Sequence, residues 1–303
     1  MDLAIIAGQG GLPPHLVRVL LARGEVPLIC EIDQFPSEIE GELPRLGFRL
    51  ETSGTFLNEL KSRGVKRVCM AGAVRRPNVD PSLIDAATIP LVPTVMAALS
   101  KGDDGTLRIM VNIFESRGIE VIGASDLDPD LLPIAGAFSK AHPPESVSND
   151  IIVAQNALEH MGAKDLGQAV VVRDGQIVAR EADSGTDAML RDLNSPAGLS
   201  IDPIDIAGQA LDSAADWLSG PATENVRKDV DAGAVLYKAP KPGQELRVDM
   251  PVIGPDTVTL AAQARLSGIV IAADGVMVLE RDEVRKRLEQ HGLFLWVHTK
   301  EAS

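Results

Sequence analysis

Lys238-Ala-Pro-Lys-Pro-Gly-Gln-Glu-Leu-Arg-Val-Asp249 places two lysines, a glutamine, an arginine and a carboxylate within twelve residues. Pro240, Pro242 and Pro251 restrict the backbone that carries them. Lys241, Gln244 and Arg247 are donors, and a guanidinium fork matches phosphate oxygens two at a time. Asp249 is the type of group that holds a hard cation such as Mg²⁺ or orients a water. Together they suit attack of water on a phosphorylated ligand, with positive charge offsetting that of the phosphates. A purely structural loop, with Arg247 paired to Asp249, is the alternative.

Four further strings place polar or glycine residues next to regular elements. Gly8-Gln9-Gly10-Gly11-Leu12-Pro13 lies between an apolar strand and a helix, where backbone N–H groups and a helix N-terminus can approach a phosphate or ribose. A merely tight strand-to-helix turn has the same composition. Pro13 occupies the third glycine position of the dinucleotide fingerprint, yet Asp33 stands at a fitting distance for a ribose, so a nicotinamide-dependent oxidoreductase remains an alternative. Gly72-Ala73-Val74-Arg75-Arg76-Pro77 sets two guanidinium groups after another strand. Lys101-Gly102-Asp103-Asp104 precedes a helical pattern from Gly105, so Asp104 is also a candidate N-cap. Gly185-Thr186-Asp187-Ala188-Met189-Leu190 is a glycine-bearing loop in which Thr186 or Asp187 has the chemistry of a cap. His15, His142, His160, His291 and His298 are scattered. That disfavours a preassembled two-metal centre, and His15 and His160 read as surface or packing residues.

These strings, in this order along most of the chain, resemble the UDP-2,3-diacylglucosamine pyrophosphatases that are unrelated to the calcineurin-like phosphoesterases performing the same lipid A step. The resemblance implies cleavage of a lipidated UDP-sugar to UMP and 2,3-diacylglucosamine 1-phosphate, and it favours attack at the sugar-side phosphorus. For that reaction Asp249 is the expected catalytic residue, and with no histidine cluster the ligand count fits a single Mg²⁺ held by Asp249 and travelling with the nucleotide. The resemblance also implies substrate contacts from Gly10, Gly11, Leu12, Ala73, Val74, Arg75, Lys101, Asp103, Asp104, Gly185, Thr186, Asp187, Lys241, Gln244 and Arg247. The chain departs from the pattern between about Asn194 and Val230, where it looks longer. There Ile204 to Leu218 reads as an amphipathic surface helix whose Trp217 is a candidate for membrane approach. A non-catalytic sugar-nucleotide sensor would use the same residues without turnover.

The elements that must position these groups alternate. Strands are expected at Leu3–Ala7, Val26–Cys30, Val65–Ala71 and Ile119–Ile122, with helices at Leu12–Arg23, Phe56–Arg63 and Gly105–Gly118. That alternation indicates a parallel sheet with crossover helices, which binds ligands at the carboxyl ends of its strands. The second half shows a helix from Ser148 to Met161, a hairpin about Asp174-Gly175, and a helix from Val258 to Leu266. Short strands about Asp274-Gly275, a charged helix from Asp282 to His291 and a strand from Leu293 to Val297 complete it. The expected architecture is α/β with two domains: a Rossmann-like nucleotide-binding unit over residues 1–130, a proline-rich linker over 131–147, and a mixed α/β catalytic unit over 148–303.

Composition sets the remaining bounds. The chain has 303 residues, 45% of them hydrophobic and 24% charged, as in a globular protein with sizeable cores. Its 43 acidic and 29 basic residues give a net charge of −14, which repels polyanions and argues against a nucleic-acid partner. Cys30 and Cys69 each end an apolar run and read as reduced core thiols. The first residues carry no basic leader, and the longest uncharged run, Ala86 to Ser100, is shorter than the roughly 20 residues of a membrane span. A cytoplasmic protein is expected, with peripheral contact at the inner membrane and a homodimer left open.

Overall fold

A computed structural model describes residues 2–74, 78–99, 102–163, 166–194 and 233–299. In chain order the first half forms β1 (Leu3–Ala7), α1 (Leu12–Ala22), β2 (Leu28–Ile32), β3 (Arg45–Phe48), α2 (Ser53–Ser62), β4 (Arg67–Ala71), α3 (Val92–Leu99), α4 (Gly102–Glu115), β5 (Glu120–Ile122) and α5 (Ala124–Leu127). The second half forms β6 (Gly136–Ala137), α6 (Val147–Ala163), β7 (Ala169–Arg173), β8 (Gln176–Arg180), α7 (Thr186–Asn194), β9 (Val235–Lys238), β10 (Val252–Ile253), α8 (Pro255–Gln263), β11 (Gly268–Ala272), β12 (Met277–Val278), α9 (Arg281–His291) and β13 (Phe294–His298). The Ile204–Leu218 helix and Trp217 lie outside the described residues.

The contacts divide the chain into two units that are not contiguous in sequence. The first comprises Met1–Pro133, Pro242–Val252 and Asp274–Leu279; the second comprises Ile134–Lys241, Ile253–Ala273 and Glu280–Ser303. Asp249, read from sequence as part of the unit beginning at 148, is therefore grouped with the first.

The first unit holds a parallel sheet in the order β3-β2-β1-β4-β5. Its central strand shows why it is buried on both faces. Leu3, Ile5 and Ala7 pack with Leu16, Val17 and Leu20 of α1, while the alternate Ala4 and Ile6 pack with Leu57 and Leu60 of α2 and Val111 and Phe114 of α4. Cys30 and Cys69 are free and fully buried in β2 and β4, and burial pushes both thiols up to about 12. The strand expected at Val26 begins at Leu28, leaving Val26 exposed. The helix expected from Gly105 begins at Gly102. Asp103 and Asp104 thus fall within the helix and not before it.

The second unit is a mixed sheet in the order β6-β13-β11-β9-β7-β8. β13, β11 and β9 run parallel, β7 and β8 form the expected antiparallel hairpin, and α6 covers one face through Val147, Ile151, Ala154 and Leu158. Asp174 and Gly175 both adopt positive φ, the geometry of a tight hairpin turn. One expectation differs here: within the 131–147 segment read as a linker, Gly136–Ala137 is an edge strand hydrogen-bonded to β13. The short strands expected about Asp274-Gly275 are present as β11, which pairs with β9 and β13, and β12, which pairs with β10. No helix among the described residues is long and apolar enough to cross a membrane.

Glu51 anchors the chain downstream of Val74 in the first unit. It is 1% exposed and accepts the Asp80 amide at 2.8 Å and the Arg49 guanidinium at 3.0 Å. The amide bonds and Arg49 hold its carboxyl down to about 2 from an ordinary 4.5. A depressed carboxylate contributes stability above its unfolded value and loses it as pH falls through the folded one. The melting temperatures of the parent and of Glu51→Gln should therefore differ most above pH 4.5 and converge between pH 4.5 and 2, as followed by thermal melts across that range.

Candidate functional site

At the carboxyl edge of the parallel sheet, the ends of β1 and β4 are tied together. Gln9 and Ala73 exchange two backbone hydrogen bonds of 2.9 Å, and the Gly8 amide donates to the Ala71 carbonyl at 2.8 Å. This closure leaves no room for side chains: a Cβ on Gly8 would lie 2.6 Å from the Ala73 carbonyl oxygen. Gly72 has φ of +87° and would meet the Gln9 oxygen at 2.7 Å. Two strings of the sequence reading, Gly10-Gly11-Leu12 and Ala73-Val74, are thereby brought to one place, with Leu12 opening α1. Arg75 and Lys101 lie outside the described residues. Asp33 follows the end of β2, its amide bonded to the Phe48 carbonyl at 2.9 Å. His15, read as a surface or packing residue, is bonded to Asp128 at 2.7 Å.

Residues 242–252 come to the same unit from more than a hundred positions away. Met250 and Val252 pack against the core on the α1 side and Val248 against the core on the opposite side. Asp249 closes a turn that begins at Glu245, its amide donating to the Glu245 carbonyl at 3.1 Å. The Gln244 side-chain amide donates to both the Asp249 carbonyl and its Oδ2, each at 2.6 Å. Arg247 uses its fork on Glu245, Nε to Oε1 and Nη2 to Oε2 both at 2.8 Å. It also reaches Glu115 of α4 at 2.6 Å and the Val121 carbonyl of β5 at 3.4 Å. Those hydrogen bonds raise the Arg247 pKa and lower that of Glu245. Gln244, Arg247 and Asp249, named together from sequence, are thus neighbours, with Arg247 engaged by carboxylates.

The second unit gathers another part of the expected set. Gly185 takes φ of +87° and Thr186 opens α7, while Asp187 faces Arg191 one turn on at 3.8 Å. Thr186 is buried and is the middle of a chain of hydrogen bonds. Lys238 Nζ, at the carboxyl end of β9, donates to the Thr186 hydroxyl at 2.9 Å. That hydroxyl donates to Glu181 Oε1 at 2.9 Å, and Glu181 Oε2 accepts the Gln168 amide at 2.9 Å. Lys238, Thr186 and Glu181 are each at least nine-tenths buried, so the chain survives because its members satisfy one another. Sequence reasoning quoted Lys238 and left it out of the site. The available signal was a lysine ending the apolar run Val235-Leu236-Tyr237. Lys241 follows three residues later and is half-buried.

Residues 2–131 match the family model of the LpxI N-terminal domain, and residues 134–296 that of the LpxI C-terminal domain. The chain belongs to the LpxI family. A relative from Caulobacter vibrioides, the UDP-2,3-diacylglucosamine pyrophosphatase LpxI, is 32% identical over 293 residues, covering 97% of this chain and 96% of its own length. The two LpxI domain models meet between residues 131 and 134, whereas the contact-defined units return segment 242–252 to the first.

Removing the Thr186 hydroxyl would strip a hydrogen bond from Lys238 and another from Glu181. Thr186→Val should destabilise the protein by about 1–3 kcal/mol in urea unfolding, and Thr186→Ser, which keeps the hydroxyl, by less than about 1 kcal/mol.

Proposed function

We propose that this chain hydrolyses the pyrophosphate bond of UDP-2,3-diacylglucosamine, releasing UMP and 2,3-diacylglucosamine 1-phosphate. The observation that carries this reading is the held carboxylate of Asp249, fixed by Gln244 and by its own turn in a chain that aligns along nearly its whole length with a pyrophosphatase of that specificity.

The reaction adds a water oxygen to one phosphorus while the bond from that phosphorus to the bridging oxygen breaks. One water proton remains with the new phosphate oxygen or passes to solvent, the other is taken up by the leaving monoester or by solvent, and the bridging oxygen leaves on that monoester. In this reading Asp249 holds or orients the attacking group. Asp249 offers a hard oxygen of the kind that holds Mg²⁺ by one carboxylate together with substrate phosphates. When bound there, Mg²⁺ would neutralise charge on the phosphate oxygens. The strand order β3-β2-β1-β4-β5 and the glycine closure of Gly8 and Gly72 support a Rossmann-like nucleotide side of the site at Gly10, Gly11, Leu12, Ala73 and Val74. Gly185, Thr186, Asp187 and Lys241 are proposed to contact the rest of the substrate. Because that substrate is diacylated, the reading includes peripheral contact of a cytoplasmic protein with the inner membrane.

Mass spectrometry of purified protein with UDP-2,3-diacylglucosamine and Mg²⁺ should detect both products. Asp249→Ala should lower the turnover rate by at least about 100-fold. EDTA should stop turnover and excess Mg²⁺ restore it. Undiminished turnover by Asp249→Ala would remove Asp249 from the chemistry, and intact substrate with the parent protein would reject the hydrolase reading.

A further inference from the structure

α4 ends on a carboxylate. Glu115 is its last residue, and its last turn holds no basic side chain. A negative charge there opposes the helix dipole, which is unfavourable when nothing compensates. Its compensation comes from Arg247, 132 positions away in sequence, through the 2.6 Å ion pair.

The same helix face meets the segment a second time. Arg108, seven residues before Glu115 and so two turns earlier on one side of the helix, donates to the Gly243 carbonyl. Val111, between them, is buried in the cluster against which Val248 packs. A face made of Arg108, Val111 and Glu115 therefore holds Gly243, Val248 and Arg247. The backbone at Arg247 is also close to β5: a Cβ on Gly123 would lie 3.4 Å from the Arg247 Cα. Between Arg247 and Gly243 lies Gln244, which holds the Asp249 carboxylate at 2.6 Å. The fork of Arg247 on Glu245 adds a link, because the Glu245 carbonyl receives the Asp249 amide.

We propose that Glu115 is a positioning residue for the hydrolysis: by holding Arg247, it fixes the segment in which Gln244 aims the Asp249 carboxylate. The proposal rests on Asp249 acting in the chemistry. It assigns Arg247 to the placement of that carboxylate, through a charge supplied by the end of α4.

The test is a double-mutant cycle of Glu115→Gln and Asp249→Asn, read by single-turnover UMP release from UDP-2,3-diacylglucosamine, with amide hydrogen exchange across residues 242–252. Glu115→Gln should lower kcat by about 10–100-fold at an unchanged KM, speed exchange in that segment at an unchanged melting temperature, and cost nothing further on the Asp249→Asn background. Glu115→Asp, which keeps the charge, should recover part of kcat. An unchanged kcat in Glu115→Gln, or an equal loss on both backgrounds, would overturn the proposal. If Asp249→Asn alone kept full activity, the reading of Asp249 would fail, and the exchange data would still report whether Glu115 holds the segment.

Discussion

A single guanidinium sets the register of the most chemically equipped segment of the chain. Arg247 is held at 2.8 Å by Glu245 within its own loop and at 2.6 Å by Glu115 at the end of α4. Partly exposed ion pairs between single charges are worth little. Here one fork is shared by two carboxylates and a strand carbonyl, and Val248, Met250 and Val252 are packed into two cores on either side. Apolar burial keeps the segment on the sheet, and the ion pairs set its register there. Asp249 inherits its position from both.

The second unit solves a different problem by similar means. A lysine, a threonine and a glutamate are buried together, a combination that would be costly if any member lacked a partner. The order Lys238 to Thr186 to Glu181, closed by the Gln168 amide, leaves a donor facing an acceptor at every step. It also ties the carboxyl end of β9 to the first residue of α7. Sequence reading noted Thr186 for its motif; the structure shows its hydroxyl bridging two charged types of side chain.

Much of the framework was legible because its signals are local. Leu3–Ala7 followed by a glycine turn and the Leu16, Val19, Leu20 spacing specify β1 and α1, although the structure buries Val17 with Leu16 and Leu20, and Asp174-Gly175 between apolar runs specifies a hairpin. β3 was missed because Arg45–Phe48 is an edge strand with only Phe48 buried. β9 was missed because a run of three apolar residues, ending in a lysine, is too short to carry a period. The grouping of Gln244, Arg247 and Asp249 was readable because the three lie close in sequence. Glu115 was not, since nothing local marks a glutamate at a helix end as the partner of an arginine 132 residues on. The same limit hid the pairing of Gln9 with Ala73, although the glycines at positions 8 and 72 that it demands were conspicuous.

The account turns on which bond is broken, and ³¹P NMR of UDP-2,3-diacylglucosamine incubated with the parent protein and Mg²⁺ reads that bond directly. It predicts that the two coupled pyrophosphate resonances disappear together and are replaced by two uncoupled monoester signals, those of UMP and of the acylated sugar 1-phosphate. Persistence of the coupled pair, either unchanged or as free UDP after cleavage at the sugar, would contradict it.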